Sequence, residues 1–252
     1  MTRKVVSEQA DGMSACSEAD ACPATWEYAM PRLLHLDSSA RSDAFSRRLG
    51  AAFVTSWQAS GGGPVTHRDL AADPPPPIGE AWTTICDTLL REGITDIARY
   101  PEAVRTDAER AAWAIVAPLL DELVAADVVL IGAPMYNFGV PAALKAWIDQ
   151  VTFPKMVLAP RRFVVVTGRG GAYGPGMPRE PFDHHGRYLA DFFRGHYAVD
   201  DAVFVHAELT NALVDPGLVE RFPQHKEWAV AAYAQAAGLG AELAGFVLPR
   251  ED

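Results

Sequence analysis

The stretch Asp127-Val-Val-Leu-Ile-Gly-Ala133, continued by Pro134-Met-Tyr-Asn-Phe-Gly139 and Val140-Pro-Ala-Ala-Leu-Lys-Ala-Trp-Ile-Asp-Gln-Val151, decides the fold. Its first part is an almost unbroken apolar run, the pattern of a parallel strand covered by helices on both faces. Beyond the turn, Val140, Leu144, Trp147, Ile148 and Val151 recur at steps of three and four, and Pro141 suits a first helical position. Strand, turn and helix in this order put Met135 to Phe138 at the carboxyl end of a buried strand, where open α/β sheets place their ligands. Two large aromatics and an amide there suit a flat, hydrogen-bonding ring. They equally suit a plug for the end of the core.

Further units of the same kind lie on either side. Arg32 to Asp37 reads as a first strand, and Phe45, Leu49, Ala52, Phe53 and Trp57 mark the face of the helix after it. The hydroxyls between them allow two readings. One is an anion site at a helix N-terminus, where the dipole and free N–H groups favour a phosphate; the other is plain N-capping by Ser42 or Asp43. Val65 to Leu70 reads as a second strand, and Asp73-Pro-Pro-Pro-Pro77 as a stiff connector. Trp82, Ile85 and Leu89 form one side of a short helix. Thr106-Asp-Ala-Glu109 is the signature of a capping box opening a longer helix, with Ala112, Ile115, Leu119 and Leu123 inward. Pro118 predicts a kink or split of that helix near Ala114, because proline lacks the N–H that the ladder needs.

Arg162-Phe-Val-Val-Val-Thr167 reads as a fourth strand ended by Gly168-Arg-Gly-Gly171, a turn in which small residues would let backbone approach a ligand. Phe182 to Gly195 is expected to be helical with Tyr188, Leu189, Phe192 and Phe193 inward. Ala202 to Ala207 follows as a fifth strand, and Pro216 to Leu243 as a helix. Five strands alternating with helices favour a doubly wound α/β sheet of the flavodoxin-like type.

Composition excludes several classes. A formal charge of −10 without a long basic run argues against nucleic acid or an anionic membrane surface as partner. No apolar segment approaches the ~18 residues of a membrane span, and polar residues interrupt the first residues where a secretory signal would be apolar. Cys16, Cys22 and Cys86 have neither metal-ligand spacing nor the pattern of a paired framework, and read as free thiols. His35 and His206 read as core or edge histidines without a metal-ligand partner at a suitable spacing, so no metal is expected.

Pro134-Met-Tyr-Asn-Phe-Gly-Val-Pro-Ala-Ala-Leu-Lys-Ala-Trp-Ile-Asp149 resembles the flavin-ring turn and following helix of the FMN-dependent NADH:azoreductase and NAD(P)H:quinone oxidoreductase family. Met30-Pro-Arg-Leu-Leu-His-Leu-Asp-Ser-Ser39 is similar to the extreme N-terminus of its members. The resemblance runs from there to the C-terminal helix. It implies a flavodoxin-like sheet of five parallel strands in the order 2-1-3-4-5 and one FMN-binding domain over residues 30–252. Residues 1–29 are then a flexible extension, either a start-site artefact or an added segment.

The resemblance also implies a site. Ser39 matches a phosphate-binding serine, and Ala44-Phe45-Ser46 falls where the family has Ser-x-Ser, in a loop one residue shorter, so Ser42 or Arg41 stands in for a missing contact. Pro134, Met135, Tyr136, Asn137 and Phe138 would hold the flavin ring. Thr167, Gly168, Arg169, Gly170 and Gly171 would form the second wall, with Asn137, Gly170 and Gly171 as donors to the ring's polar edge. Tyr173 and His184 are expected on the acceptor side, although His184 and His185 also fit solvated surface positions.

No catalytic side chain is required, since the cofactor carries the chemistry. The implied activity is ping-pong hydride transfer from NADH or NADPH through FMN to a quinone or azo compound, in a cytoplasmic homodimer. One departure stands out: only Phe153 to Arg161 joins the central helix to the fourth strand, where family members carry a longer excursion over the flavin. That trimming predicts a more open pocket, or one covered by residues 1–29 or a partner subunit. It suggests one alternative, a pathway-specific reductase of a bulky aromatic metabolite; a flavodoxin-like electron carrier is a second alternative from another class.

Overall fold

The computed structural model describes residues 30–249, so the expectation of a flexible segment over residues 1–29 falls outside the described residues. Five parallel strands form one sheet: β1 (Leu33–Asp37), β2 (Val65–Asp69), β3 (Val128–Gly132), β4 (Arg162–Gly168) and β5 (Val203–Ala207), in the order β2-β1-β3-β4-β5. Between them run α1 (Phe45–Ala59), α2 (Glu80–Glu92), α3 (Asp107–Ala125), α4 (Ala142–Val151) and α5 (His184–Tyr197), and α6 (Phe222–Leu243) closes the chain. This is the architecture and strand order expected from the sequence.

Strand periodicity divides the core in two. Leu34, Leu36, Val129, Ile131, Phe163 and Val165 point to the side packed by α2, α3, α4 and α5. Leu33, Val128, Leu130, Val164, Val166 and Val205 point to the side packed by α1 and α6. β1 and β3 are buried along their whole length, which is why they read as continuous apolar runs. None of the described helices is long and apolar enough to cross a membrane.

The capping box at α3 is present: Thr106 Oγ1 accepts from the Glu109 N–H at 3.2 Å, while the Glu109 carboxylate accepts from the Thr106 N–H at 2.8 Å. Pro118 does not split this helix. It and Ala114 both lie on the exposed face, where water can take the carbonyl that the proline leaves free. Ile115 is also on that outer face, and Val116 and Leu120 are buried in its place.

Several boundaries differ from the sequence reading. Pro141 precedes the first turn of α4 as its N-cap residue. The fifth helix starts two residues after Phe182, because the Asp183 side chain caps the Gly186 N–H at 2.8 Å, and runs on to Tyr197. The helix expected from Pro216 is 3₁₀ as far as Arg221 and α-helical only from Phe222. The short Phe153–Arg161 connector enters β4 at the amino end of the sheet. Phe153, Met156 and Leu158 are buried there, and the N–H groups of Leu158 and Ala159 donate to the Tyr197 carbonyl.

Candidate active site

The loops leaving the carboxyl ends of β1, β3, β4 and β5 enclose a cleft of about 510 Å³. Such a position follows from topology: β1 and β3 are neighbours whose connections leave to opposite faces, which opens a crevice above them. The cleft lies at the end of the sheet opposite to the short Phe153–Arg161 connector, so that connector does not wall it.

The first wall is the loop into α1. The helix has Ala44 at its N-cap and no side-chain cap, so neither Ser42 nor Asp43 fills that role. Its first-turn N–H groups are left free to meet an anion. Ser46, fully buried in that turn and part of the cleft lining, carries a hydroxyl without any hydrogen-bond partner. Ser39 Oγ accepts from the Arg41 N–H at 3.2 Å, and the Tyr136 hydroxyl reaches across to within 3.3 Å of both Ser39 Oγ and the Ala40 nitrogen. Behind the loop, Arg47 donates to the Ser39 carbonyl at 2.7 Å, the Arg41 carbonyl at 3.1 Å and Asp69 at 2.9 Å. It thereby ties the loop's carbonyls away from the cleft.

The second wall is the turn after β3. Tyr136 and Gly139 exchange both backbone hydrogen bonds, at 3.0 and 2.9 Å, and the two residues between them are left-handed, Asn137 at φ 49° and Phe138 at φ 67°. Asparagine tolerates that conformation, but a phenylalanine there is strained. The turn holds Phe138 partly exposed, its ring 5.5 Å from and stacked on Phe182, and 6.2 Å from Tyr173.

The third wall is the turn after β4. Successive N–H groups of Leu209, Thr210 and Asn211 donate to the carbonyls of Gly171, Arg169 and Gly170. All three carbonyls of the Arg-Gly-Gly turn are thereby committed to the loop after β5. The N–H groups of Gly170 and Gly171 donate to no protein acceptor among the described residues. Gly170 leaves room for the Asn211 amide, since a Cβ there would stand 2.7 Å from Asn211 Oδ1 and displace that side chain.

Of the residues expected at the site, Ser39, Arg41, Phe45, Ser46, Pro134, Met135, Tyr136, Asn137, Phe138, Gly168, Gly170 and Tyr173 line the cleft. Four other anticipated residues do not. Thr167 is fully buried with its hydroxyl donating to the Ala133 carbonyl, a tie between β4 and β3. Gly171 packs against Arg179 and Tyr173. His184 is an exposed first residue of α5, 3.3 Å from Arg187. Arg169, only 1% exposed, turns below the loop to Asp183 at 3.0 Å and Glu208 at 3.4 Å, and Glu208 also accepts from the Tyr173 N–H. Its guanidinium braces the Gly-Gly turn from beneath and leaves the cleft to the backbone.

The Arg169 charge adds to burial in setting the protonation of its neighbours. Burial and then the Arg169 charge hold His185 at about 4 and His206 at about 3, so both are neutral at ordinary pH. Cys86 lies on the buried face of α2, its thiol pushed up to about 12 by burial and then Asp87, which suits no nucleophile.

Sequence reading missed Asp43, Ala44, Arg48, Thr210, Asn211, Leu213 and Val214, all of which line the cleft. A usable signal existed for four of them. Thr210 to Val214 follow the carboxyl end of β5, and the rule applied to the other strands holds there too.

The whole arrangement defines a class: a flavodoxin-type sheet with a flat carboxyl-end cleft between an uncapped helix N-terminus and an aromatic turn. The family model for the flavodoxin-like fold matches residues 31–229, and the chain belongs to the family of FMN-dependent NADH:quinone oxidoreductases with this fold. A protein of that name from Nocardia farcinica is 62% identical over 208 residues, covering 82% of this chain and 94% of that protein. Another from Streptomyces coelicolor is 38% identical over 227 residues, covering 85% of this chain and 96% of the other. Among solved structures, the azoreductase AzrA superposes with a TM-score of 0.67 at 20% identity, covering 84% of this chain and 99% of that one. An FMN-dependent NADH-azoreductase from Bacillus anthracis in complex with FMN gives 0.66 at 17%, covering 84% and 99%. At these identities the two structures speak for the fold alone.

Proposed function

We propose that this protein is an FMN-dependent NADH:quinone oxidoreductase that also accommodates azo compounds. The single observation that carries the reading is the orphaned Ser46 hydroxyl at the uncapped start of α1, facing the aromatic turn across one cleft. A phosphate would satisfy both the hydroxyl and the free N–H groups, and a planar ring on the same ligand would reach Met135 to Phe138. Identity of 62% to a protein named for this activity supports the same conclusion.

FMN, when bound, would supply the redox chemistry, a hydride equivalent from the nicotinamide going on to the acceptor, which gains a further proton from solvent. This chain's residues hold and orient it. Ser39, Ser46 and the first-turn N–H groups of α1 would take the phosphate, with Arg41 and Arg48 nearby to offset its charge. Met135 and Phe138 would pack the ring. Asn137 and the Gly170 N–H would donate to its polar edge, where fixed donors stabilise negative charge at little reorganisation cost. The donor and acceptor then use one open face in turn, a ping-pong order. The exposed rim of Phe138, Phe182, Leu213 and Val214 favours flat aromatic acceptors, and Val214 is 75% exposed. A second copy of the chain covering part of that rim would make a homodimer. Dependence on NADH supports a cytoplasmic setting, and the FMN-binding unit is residues 30–252, with 1–29 an addition to it.

Purified protein should be yellow, release FMN on denaturation, and oxidise NADH with benzoquinone along parallel double-reciprocal lines. A colourless protein that takes up no added FMN would overturn the reading. Sedimentation should give twice the chain mass, and a chain starting at Met30 should bind FMN as the full chain does.

A further inference from the structure

Strand periodicity and register bring three metal-ligating side chains to one point outside the cleft. His35 and Asp37 are two residues apart on β1 and so project from one face, the face under α1. Register then aligns His35 with His67 on the neighbouring edge strand β2. The donor atoms of all three lie within 4.8 Å of one another, with Asp37 oxygens 3.0 Å from His67 Nε2 and 3.8 Å from His35 Nε2. Tetrahedral bonds of about 2.0–2.2 Å put ligand atoms about 3.4 Å apart, so small side-chain rotations would gather this set around an ion.

Two donors are buried and unpaired. His35 Nε2 and Asp37 Oδ1 have no hydrogen-bond partner, although their residues are only 7% and 4% exposed. Buried polar atoms left alone are rare and call for a ligand or water. Gly50 of α1 keeps the space beside His35 open, since a Cβ there would stand 2.6 Å from Nε2. His67, about half exposed, gives an ion its way in and leaves a fourth position for water.

The charges facing the cluster are Arg47, 3.3 Å from Asp37 and 2.9 Å from Asp69, and those two carboxylates. With neutral imidazoles the group carries net −1, and Arg47 keeps Asp69 as its partner when Asp37 turns to a metal.

We infer that His35, Asp37 and His67 form a site for a zinc-class divalent ion with water as fourth ligand. Two imidazoles and one carboxylate prefer such ions to magnesium or calcium, which take all-oxygen sets. The ion clamps the edge strand β2 to β1 one residue before Ser38-Ser39, at the root of the loop entering the cleft. It is independent of the flavin reading.

The test is calorimetric titration of chelator-treated full-length protein with Zn²⁺, paired with thermal melts in Zn²⁺ or Mg²⁺. We expect stoichiometric Zn²⁺ uptake and a melting temperature that rises with Zn²⁺ but not with Mg²⁺. His67→Ala, a change at an exposed position, should weaken uptake roughly tenfold or more and remove the thermal response. His196→Ala, on the outer face of α5, should keep both. Asp37→Asn should behave as His67→Ala does. Unchanged uptake in His67→Ala, or no uptake by the parent protein, overturns the inference.

Discussion

Ser46 is a hydroxyl that the fold buries and the protein does not satisfy. Removing it should separate folding from cofactor binding. In Ser46→Ala the flavin-free protein should be as stable as the parent or slightly more so, since an unsatisfied buried group disappears. FMN should bind about tenfold or more weakly, because a hydrogen bond to a charged group is worth about 1.5–3 kcal/mol. Flavin fluorescence titration beside melts of the flavin-free protein checks both. Phe138 presents the reverse trade. Phe138→Gly relieves a left-handed bulky residue and should raise stability by about 1 kcal/mol in urea melts, while FMN affinity falls with the lost ring contact. Both residues are places where local chemistry is unfavourable without a ligand.

At the level of elements, the site is held by two close approaches. α1 and α6 pack so tightly that a Cβ on Gly240 would run into the Phe53 carbonyl. Backbone cannot yield as a flexible side chain would, so Gly240→Ala should cost about 1–3 kcal/mol, read as a lowered urea midpoint with unchanged slope. Beneath the Gly-Gly turn, Arg169 joins β4, the start of α5 and the residue after β5 through Asp183 and Glu208. Arg169→Met strands two partly buried carboxylates and should destabilise by about 3–5 kcal/mol, measured by chemical denaturation. The same substitution should loosen FMN binding through the displaced turn. An arginine anticipated as a cofactor contact thus acts one layer below the cleft, where only packing reveals it.

For the whole molecule, three histidines are held neutral by burial, His35 and His185 at about 4 and the partly exposed His206 at about 3. Their unfolded-state value is 6.5, so below that pH the unfolded chain binds protons that the folded chain refuses. Stability therefore rises with pH across this window and is lost as pH falls from about 6.5 toward 4, by up to about 1.4 kcal/mol per pH unit for each histidine. Urea melts at pH 7, 6 and 5 should show this slope, and His206→Gln should flatten it by about a third. The loss is a property of the core and should appear in flavin-free protein as well.

The sheet was legible because each buried strand is a short apolar run with its own helix, so Val128–Gly132 and Arg162–Gly168 announce themselves within a few residues. The aromatic turn was legible as a turn for the same local reason, since strand ends are marked by the residues that stop them, whereas Ser39 was singled out only by the family resemblance. Side-chain direction was not legible. Thr167 at the end of β4 and Arg169 in the turn after it face away from the cleft, a consequence of strand alternation and of carboxylates supplied by the start of α5 and the β5 exit. Asn211 and Val214 reach the cleft from far along the chain. His35 and His67, unremarkable 32 residues apart in sequence, become neighbours through a strand register that no local pattern encodes. Sequence alone therefore determined which segments are strands and helices, because burial periodicity is a short-range property. Which donors share a point in space was decided by register and packing, which depend on the whole fold.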